Sequence, residues 1–218
     1  IRDSIDAVRT GGTGNTVLTF EPEQTYLTED GESVLIGYYP CKALNSGTAN
    51  PVSVTYTITG EEDIMATGVQ TGSLVNKFET FTFSHLLTQL QFKCTGSTGA
   101  IAKWTAITSI KVKNVATGLK LSLDKTKGAQ LTATGTANQT LTVKNCPSTV
   151  SALDAEKPST GYLLLYPTAN MGTEDLPVSL EVKGTYDGSP KTLDVTVSNI
   201  SEGVKACLLY TSPSPRDL

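Results

Sequence analysis

An all-β chain organised as two domains is what this sequence predicts, and three observations carry that reading. Thr, Ser, Val and Gly recur from end to end, and long runs of helix formers are absent. Apolar residues alternate with polar ones at period two in segment after segment, which places one row on one face of a strand. Clusters of Gly, Pro, Asn and Asp separate those segments as turns. The chain has 218 residues, 38% hydrophobic and 17% charged. That length buries a real core and allows one large or two small domains.

In chain order, the glycine-rich run from Thr10 to Asn15 is a loop, and Val17 to Phe20 reads as a strand. Glu29 to Glu32 is an acidic turn, and Val34 to Tyr39 follows as a strand that stops at Pro40. From Pro51 to Thr59 the chain alternates again, with Val52, Val54, Tyr56 and Ile58 on one side. The acidic cluster Glu61-Glu62-Asp63 lacks the ligand spacing of a calcium loop and reads as a solvated turn. Gly68 to Lys77 reads as the connection between two domains. Ile107 to Val115 and Gly118 to Leu123 are strands, with Trp104 expected under a loop just ahead of them. Leu131–Ala133 and Leu141–Val143 are shorter strands, and Tyr162 to Tyr166 is an apolar run suited to a strand covered on both faces. Val178–Val182 and Leu193–Val197 flank Tyr186-Asp187-Gly188-Ser189-Pro190 as a hairpin. No convincing helix is expected.

The segment Phe78 to Cys94 is the predicted centre of the larger core. Phe81, Phe83, His85 and Leu87 share a face at period two, and so do Leu90, Phe92 and Cys94. The odd step from Leu87 to Leu90 would throw one set to solvent in a flat strand. A bulge or bend near Leu87–Gln89 brings both sets to one core. On this reading Phe83, His85 and Phe92 point inward together, and His85 is a hydrogen-bonded core histidine.

Several function classes are excluded. A net charge of -4 argues against nucleic acid, whose phosphates demand clustered Lys and Arg. His85 is the single histidine, so any catalytic Ser-His-Asp or Cys-His pair would have to use it, and the core face is the wrong place for a general base. Neither an enzyme nor a cofactor is expected. Cys41, Cys94, Cys146 and Cys207 fit no zinc spacing. Buried free thiols are the simplest reading of them, with a Cys41–Cys94 bridge open in an oxidising compartment. No stretch reaches the roughly 20 apolar residues needed to cross a bilayer.

An ordered set of motifs resembles a known family. Tyr38-Tyr39-Pro40 within the string GYYP, Asp63-Ile64-Met65 within GEEDIMAT, and Phe83-Ser84-His85-Leu86-Leu87 leading to Leu90-Gln91-Phe92 occur in that order. GYLLLYP at Gly161–Pro167 and ISEGVK at Ile200–Lys205 follow. The set is similar to the fimbrillin-like (Mfa-like) surface pilus proteins and related lipoproteins of anaerobic Gram-negative bacteria, from about Phe20 to Lys205. The resemblance implies two tandem transthyretin-like β-sandwiches and a subunit or accessory component of surface fimbriae that supports adhesion. It implies other pilus subunits as partners, joined by strand exchange, together with host or bacterial surface ligands. It also implies export to the outer surface, with membrane attachment only through a lipid anchor upstream of this chain. A non-polymerising β-sandwich that binds carbohydrate or a host protein is the competing reading. Asp3-Ser4-Ile5 is similar to the short O-glycan acceptor motif of such bacteria.

The expected domains are 1–76, an N-terminal fragment, and 77–206, a C-terminal sandwich cut short before its last strand. No initiator Met or signal peptide is visible, and the start is expected to lie upstream. Cys207 to Asp217 reads CLLYTSPSPRD, an in-frame translation of the transposase adapter used in short-read sequencing libraries, so 207–218 is expected to be non-native. Leu208-Leu209-Tyr210 can imitate one or two rungs of a strand before Pro213 and Pro215 stop the ladder. The C-terminal sheet is then expected to keep an unprotected edge.

Overall fold

The computed structural model describes residues 5–10, 17–26, 31–45, 50–201, 203–205 and 209–211. Asp3, Ser4, most of the Thr10–Asn15 loop, Glu29, Asp30 and Cys207 fall outside them. Among the described residues the regular structure is β apart from one short helix. Its first strands are β1 (Asp6–Thr10), β2 (Val17–Glu21), β3 (Ser33–Leu35), β4 (Tyr38–Tyr39), β5 (Val52–Thr57), β6 (Met65–Thr67) and β7 (Gln70–Gly72). The middle holds β8 (Phe83–His85), β9 (Thr88–Lys93), β10 (Thr95–Gly96), α1 (Thr98–Lys103), β11 (Trp104–Val115), β12 (Gly118–Asp124) and β13 (Gly128–Ala133). Then come β14 (Gln139–Thr142), β15 (Ser151–Ala152), β16 (Thr160–Leu165), β17 (Val178–Tyr186), β18 (Ser189–Val197) and β19 (Leu209–Thr211).

Two compact units share these elements. One comprises Ile1–Thr55, Ile64–Ser84 and Lys120–Thr132; the other comprises Tyr56–Asp63, His85–Leu119 and Ala133–Leu218. The single boundary proposed at 76/77 is a simpler division than this interleaving, and the crossing nearest to it falls between Ser84 and His85.

In the first unit β1 pairs antiparallel with β2, and β3 with β7. The strands β4, β6 and β8 line up in one sheet. Val54, Ile64, Ala66, Leu121 and Leu123 supply its buried apolar side chains. Phe78 to Thr82, expected as strand, is not one. Phe78 stacks on Tyr26 with ring centroids 5.4 Å apart, and Phe81 lies 5.8 Å from Phe78. The Phe78 amide donates to the Tyr26 hydroxyl at 2.9 Å. This aromatic staple takes the hydrogen bond that a ladder would have used.

The second unit carries the larger core. One sheet has the order β14-β11-β17-β18 and another the order β16-β9-β19. Leu90 and Phe92 on β9, Leu163 and Leu165 on β16, Ile110 and Val112 on β11, and Val178 and Leu180 on β17 are all buried. Each such side chain contributes about 1.5–3 kcal/mol through area removed from water. Gly161 permits close approach at this place, because a Cβ there would lie 2.6 Å from the Val143 Cγ1. The hairpin β17–β18 turns on Asp187 and Gly188, both with positive φ, and pairs residue for residue from Tyr186–Ser189 to Val178–Val197. Pro190 therefore sits inside β18, tolerated because that strand is at the sheet's edge.

Three sequence expectations need correction. The Phe78–Cys94 stretch is two strands in different sheets, broken at Leu86–Leu87, where the odd step in its alternation lies. A helix does exist: Ser97 caps it, its hydroxyl accepting from the Ala100 amide at 3.4 Å. Finally, β9 does not keep an unprotected edge. β16 pairs antiparallel on one side, and β19 runs parallel on the other, with Leu209, Tyr210 and Thr211 opposite Gln89, Leu90 and Gln91. The buried Thr88 hydroxyl donates to the Lys205 carbonyl, fixing the chain ahead of that pairing.

Candidate functional site

The motif residues converge from distant parts of the sequence. Tyr38 and Tyr39 form β4 and face Ala66 and Met65 of β6, and β6 neighbours β8, which carries Phe83 and His85. Leu87, Leu90 and Phe92 are buried and belong to the second unit with β9. Tyr38 donates its hydroxyl to the Lys42 carbonyl at 2.8 Å, spanning the turn at Pro40. Tyr39 is 51% exposed, whereas Ile64 is fully buried.

Two residues inside the quoted strings show their reason only in three dimensions. A Cβ on Gly37 would lie 2.8 Å from the Phe83 ring, so only glycine lets that ring cover β4. Thr67 then locks the pairing: its amide donates to the Gly37 carbonyl at 2.9 Å, and its hydroxyl accepts from the Gly37 amide at 2.8 Å. Phe83 is thus half-buried against Gly37 and not a member of a Phe83–His85–Phe92 cluster.

His85 is a surface residue. Its side chain is 57% exposed, and Nδ1 lies 2.8 Å from an Asp63 carboxylate oxygen. The neighbouring acid does something different. Glu62 turns inward and accepts from the amides of Thr59, Gly60 and Glu61 at 2.6, 3.1 and 3.2 Å, and from the Thr59 hydroxyl at 2.8 Å. Burial alone would raise its pKa, but these hydrogen bonds outweigh it and hold the carboxyl below the ordinary glutamate range. Gly60 has a positive φ of 103°, and a Cβ there would lie 2.2 Å from the Leu163 Cδ1. Glu61 pairs with Lys144 at 3.1 Å. The acidic cluster is therefore spent on backbone amides, a lysine and a histidine. Among the described residues no group of three or more His, Cys, Asp or Glu could hold a metal ion.

Cys41, Cys94 and Cys146 are free thiols. The Cys41 thiol donates to Asp6 at 3.0 Å, and that bond raises its pKa. Burial, then the nearby Cys146, pushes Cys94 up to about 11, so it stays protonated and unreactive at neutral pH. Two shallow polar depressions lie in the second unit, of about 220 Å³ beside Thr117, Thr136 and Asn138 and about 400 Å³ beside Glu174, Asp175 and Asn199. Neither brings together a nucleophile and a base. Trp104, expected under a loop, instead packs edge-on against Tyr186 with centroids 5.3 Å apart.

Three comparisons bear on this arrangement. The fimbrillin-like family model matches residues 3–205. No curated protein matches the chain. Among solved structures, a proposed cell adhesion protein from Bacteroides uniformis is similar with a TM-score of 0.57 at 16% identity, over 93% of this chain and 72% of that one. Another proposed cell adhesion protein, from Bacteroides fragilis, is similar with a TM-score of 0.54 at 15% identity, over 95% and 70%. At such identities the likeness is one of fold.

Proposed function

The chain belongs to the fimbrillin-like family, and on that footing we propose that it is a structural subunit or accessory component of bacterial surface fimbriae. The observation that carries the reading is the family match across 3–205. Two fold neighbours described as proposed cell adhesion proteins support an adhesive role at the cell surface. The protein acts by assembly and not by catalysis, and its partners are other pilus subunits. A lipid anchor upstream would tether the assembly to the outer membrane.

Assembly proceeds by strand exchange. In support, β9 accepts a parallel strand on the side away from β16 through backbone pairing over three residues. An edge that takes a strand in this way satisfies its amides and carbonyls with whatever segment arrives. On this reading a strand from a neighbouring subunit takes that edge in the assembled protein. Immunogold labelling of cells that express the protein tests the proposal. Label along thin filaments at the surface is expected. Label confined to the cell body, with no filaments, overturns it and leaves the non-polymerising surface sandwich.

A further inference from the structure

The two edges of the β14-β11-β17-β18 sheet in the second unit are built differently. β14 is four residues long, and its pairing with β11 is interrupted between Lys113 and Val115. A short strand beside an irregular register is a poor template for another strand. β18 is nine residues long and pairs with β17 without any shift of register. Its residues from Ser189 to Asp194 are all exposed. Among the described residues no strand lies beyond it.

The hairpin loop fixes which backbone groups of β18 point outward. Asp187 and Gly188 form a two-residue loop, so Tyr186 and Ser189 close the ladder as a hydrogen-bonded pair. Alternation then bonds Lys191, Leu193 and Val195 to β17. It leaves the backbone N–H and C=O groups of Thr192, Asp194 and Thr196 facing outward. Pro190 falls in the outward set, where its missing N–H costs the β17 ladder nothing. Side chains alternate as well: Leu193 and Val195 share the face of buried Leu180, and Thr192 and Asp194 share the opposite one. Leu193 is 42% exposed.

We propose that β18 pairs antiparallel with β18 of a second copy of this chain, about a two-fold axis at Leu193, so that two sheets become one. The strand's own residues select that partner and register. Leu193 is its midpoint, so a pairing centred there overlaps all nine residues. Thr192 then faces the partner's Asp194, and these outward-pointing residues exchange their backbone bonds. A centre at Asp194 would set two carboxylates directly opposite each other. A centre at Thr192 would set Asp194 against the partner's Pro190, which has no N–H to give. Centres further out shorten the overlap. In the Leu193 register the two leucines meet at a non-hydrogen-bonded position, with Cα atoms about 4.5 Å apart. Each thereby loses the water that reaches it in the single chain, while Asp194 keeps its ion pair with Lys113. Such a contact is isologous and closes at two subunits. It lies in a different sheet from β9, so it goes beyond strand exchange and stands or falls independently of it.

Sedimentation velocity of the full chain across about 5–500 μM, the range suited to a small interface, reads the association. A reversible monomer–dimer equilibrium is expected. Leu193→Lys, an exposed change that keeps the parent's thermal melt, sets two ammonium groups opposite each other and should leave monomer only. Thr192→Pro removes an outward donor without touching the β17 ladder and should do the same. Leu193→Cys reads the register itself. Under oxidised glutathione it should form a disulfide-linked dimer, because the two sulfurs meet at the axis. Thr196→Cys, away from the axis, and the parent with its own thiols should not. A chain that stays monomeric at every concentration overturns the proposal. So does a dimer that Leu193→Lys or Thr192→Pro leaves intact, or a Leu193→Cys variant that crosslinks no better than Thr196→Cys.

Discussion

The two halves of the Phe78–Cys94 stretch carry nearly the same alternation of apolar and polar residues, yet they end in different environments. On β9, Leu90 and Phe92 are 7% and 6% exposed. On β8, Phe83 is half-buried and His85 lies at the surface. Period two decides which residues share a face. It does not decide whether anything covers that face. β9 runs between β16 and β19 in a unit with a large apolar core, whereas β8 is three residues at the edge of a sheet of equally short strands. Burial follows from the neighbours a strand acquires, and those neighbours are far away in sequence.

The largest effect should come from testing that contrast directly. Phe92→Ala should cost about 3–5 kcal/mol, as for a fully packed phenylalanine that leaves a cavity. Phe83→Ala, from a half-buried ring resting on Gly37, should cost about 1–2 kcal/mol, in line with the smaller area it covers. Urea unfolding of both variants against the parent measures the difference. Equal losses would break the comparison and place Phe83 in the same core as Phe92.

Much of the second unit was legible because its strands are long and their alternation is unbroken. The segments that became β11 and β17 show apolar rows with members that prove buried, such as Ile110 and Val112 on β11 and Val178 and Leu180 on β17. The odd step between Leu87 and Leu90 marks an irregularity within Phe78–Cys94, but the bend expected there was to bring both sets to one core, and the structure puts them in different sheets. What was hidden depended on single close approaches or on short elements. The helix α1 spans six residues and includes Gly99, too brief to show a helical period. The convergence of Tyr38, Met65 and Phe83 in one sheet rests on strands of two or three residues. At the Trp104–Tyr186 pair, the signal is a glycine below a tryptophan, which no local pattern announces.

A middle-sized effect should come from the loop that supports the strand beside β9. Gly60 accepts from the Leu164 amide at 2.8 Å, so the Glu62-capped turn holds β16. Glu62→Gln keeps the shape but loses the charge on four hydrogen bonds, and should cost about 1–2 kcal/mol after allowance for its partial exposure. The sign with pH follows from the lowered folded pKa. The carboxylate contributes its stability above the unfolded value near 4.5, and that contribution is lost as pH falls through the lower folded value. Thermal melts from neutral pH down into that range should converge for parent and variant at the acid end. Parallel curves with a constant gap would assign the loss to shape and not to charge.

The smallest effect should be on the β8 side, at the Asp63–His85 pair. The two groups are 2.8 Å apart, but their side chains are 57% and 30% exposed. An ion pair this open gains little, because water already solvates both partners and salt screens the attraction. His85→Gln should therefore change stability by about 0–1 kcal/mol. A double-mutant cycle with Asp63→Asn isolates the pair from other contacts of either residue. A coupling energy below about 1 kcal/mol fits a surface pair on a lightly covered strand. A value of about 3 kcal/mol or more would demand a desolvated, buried pair. That outcome would mean that β8 acquires a cover in solution, and the contrast with β9 would then be one of partner and not of burial.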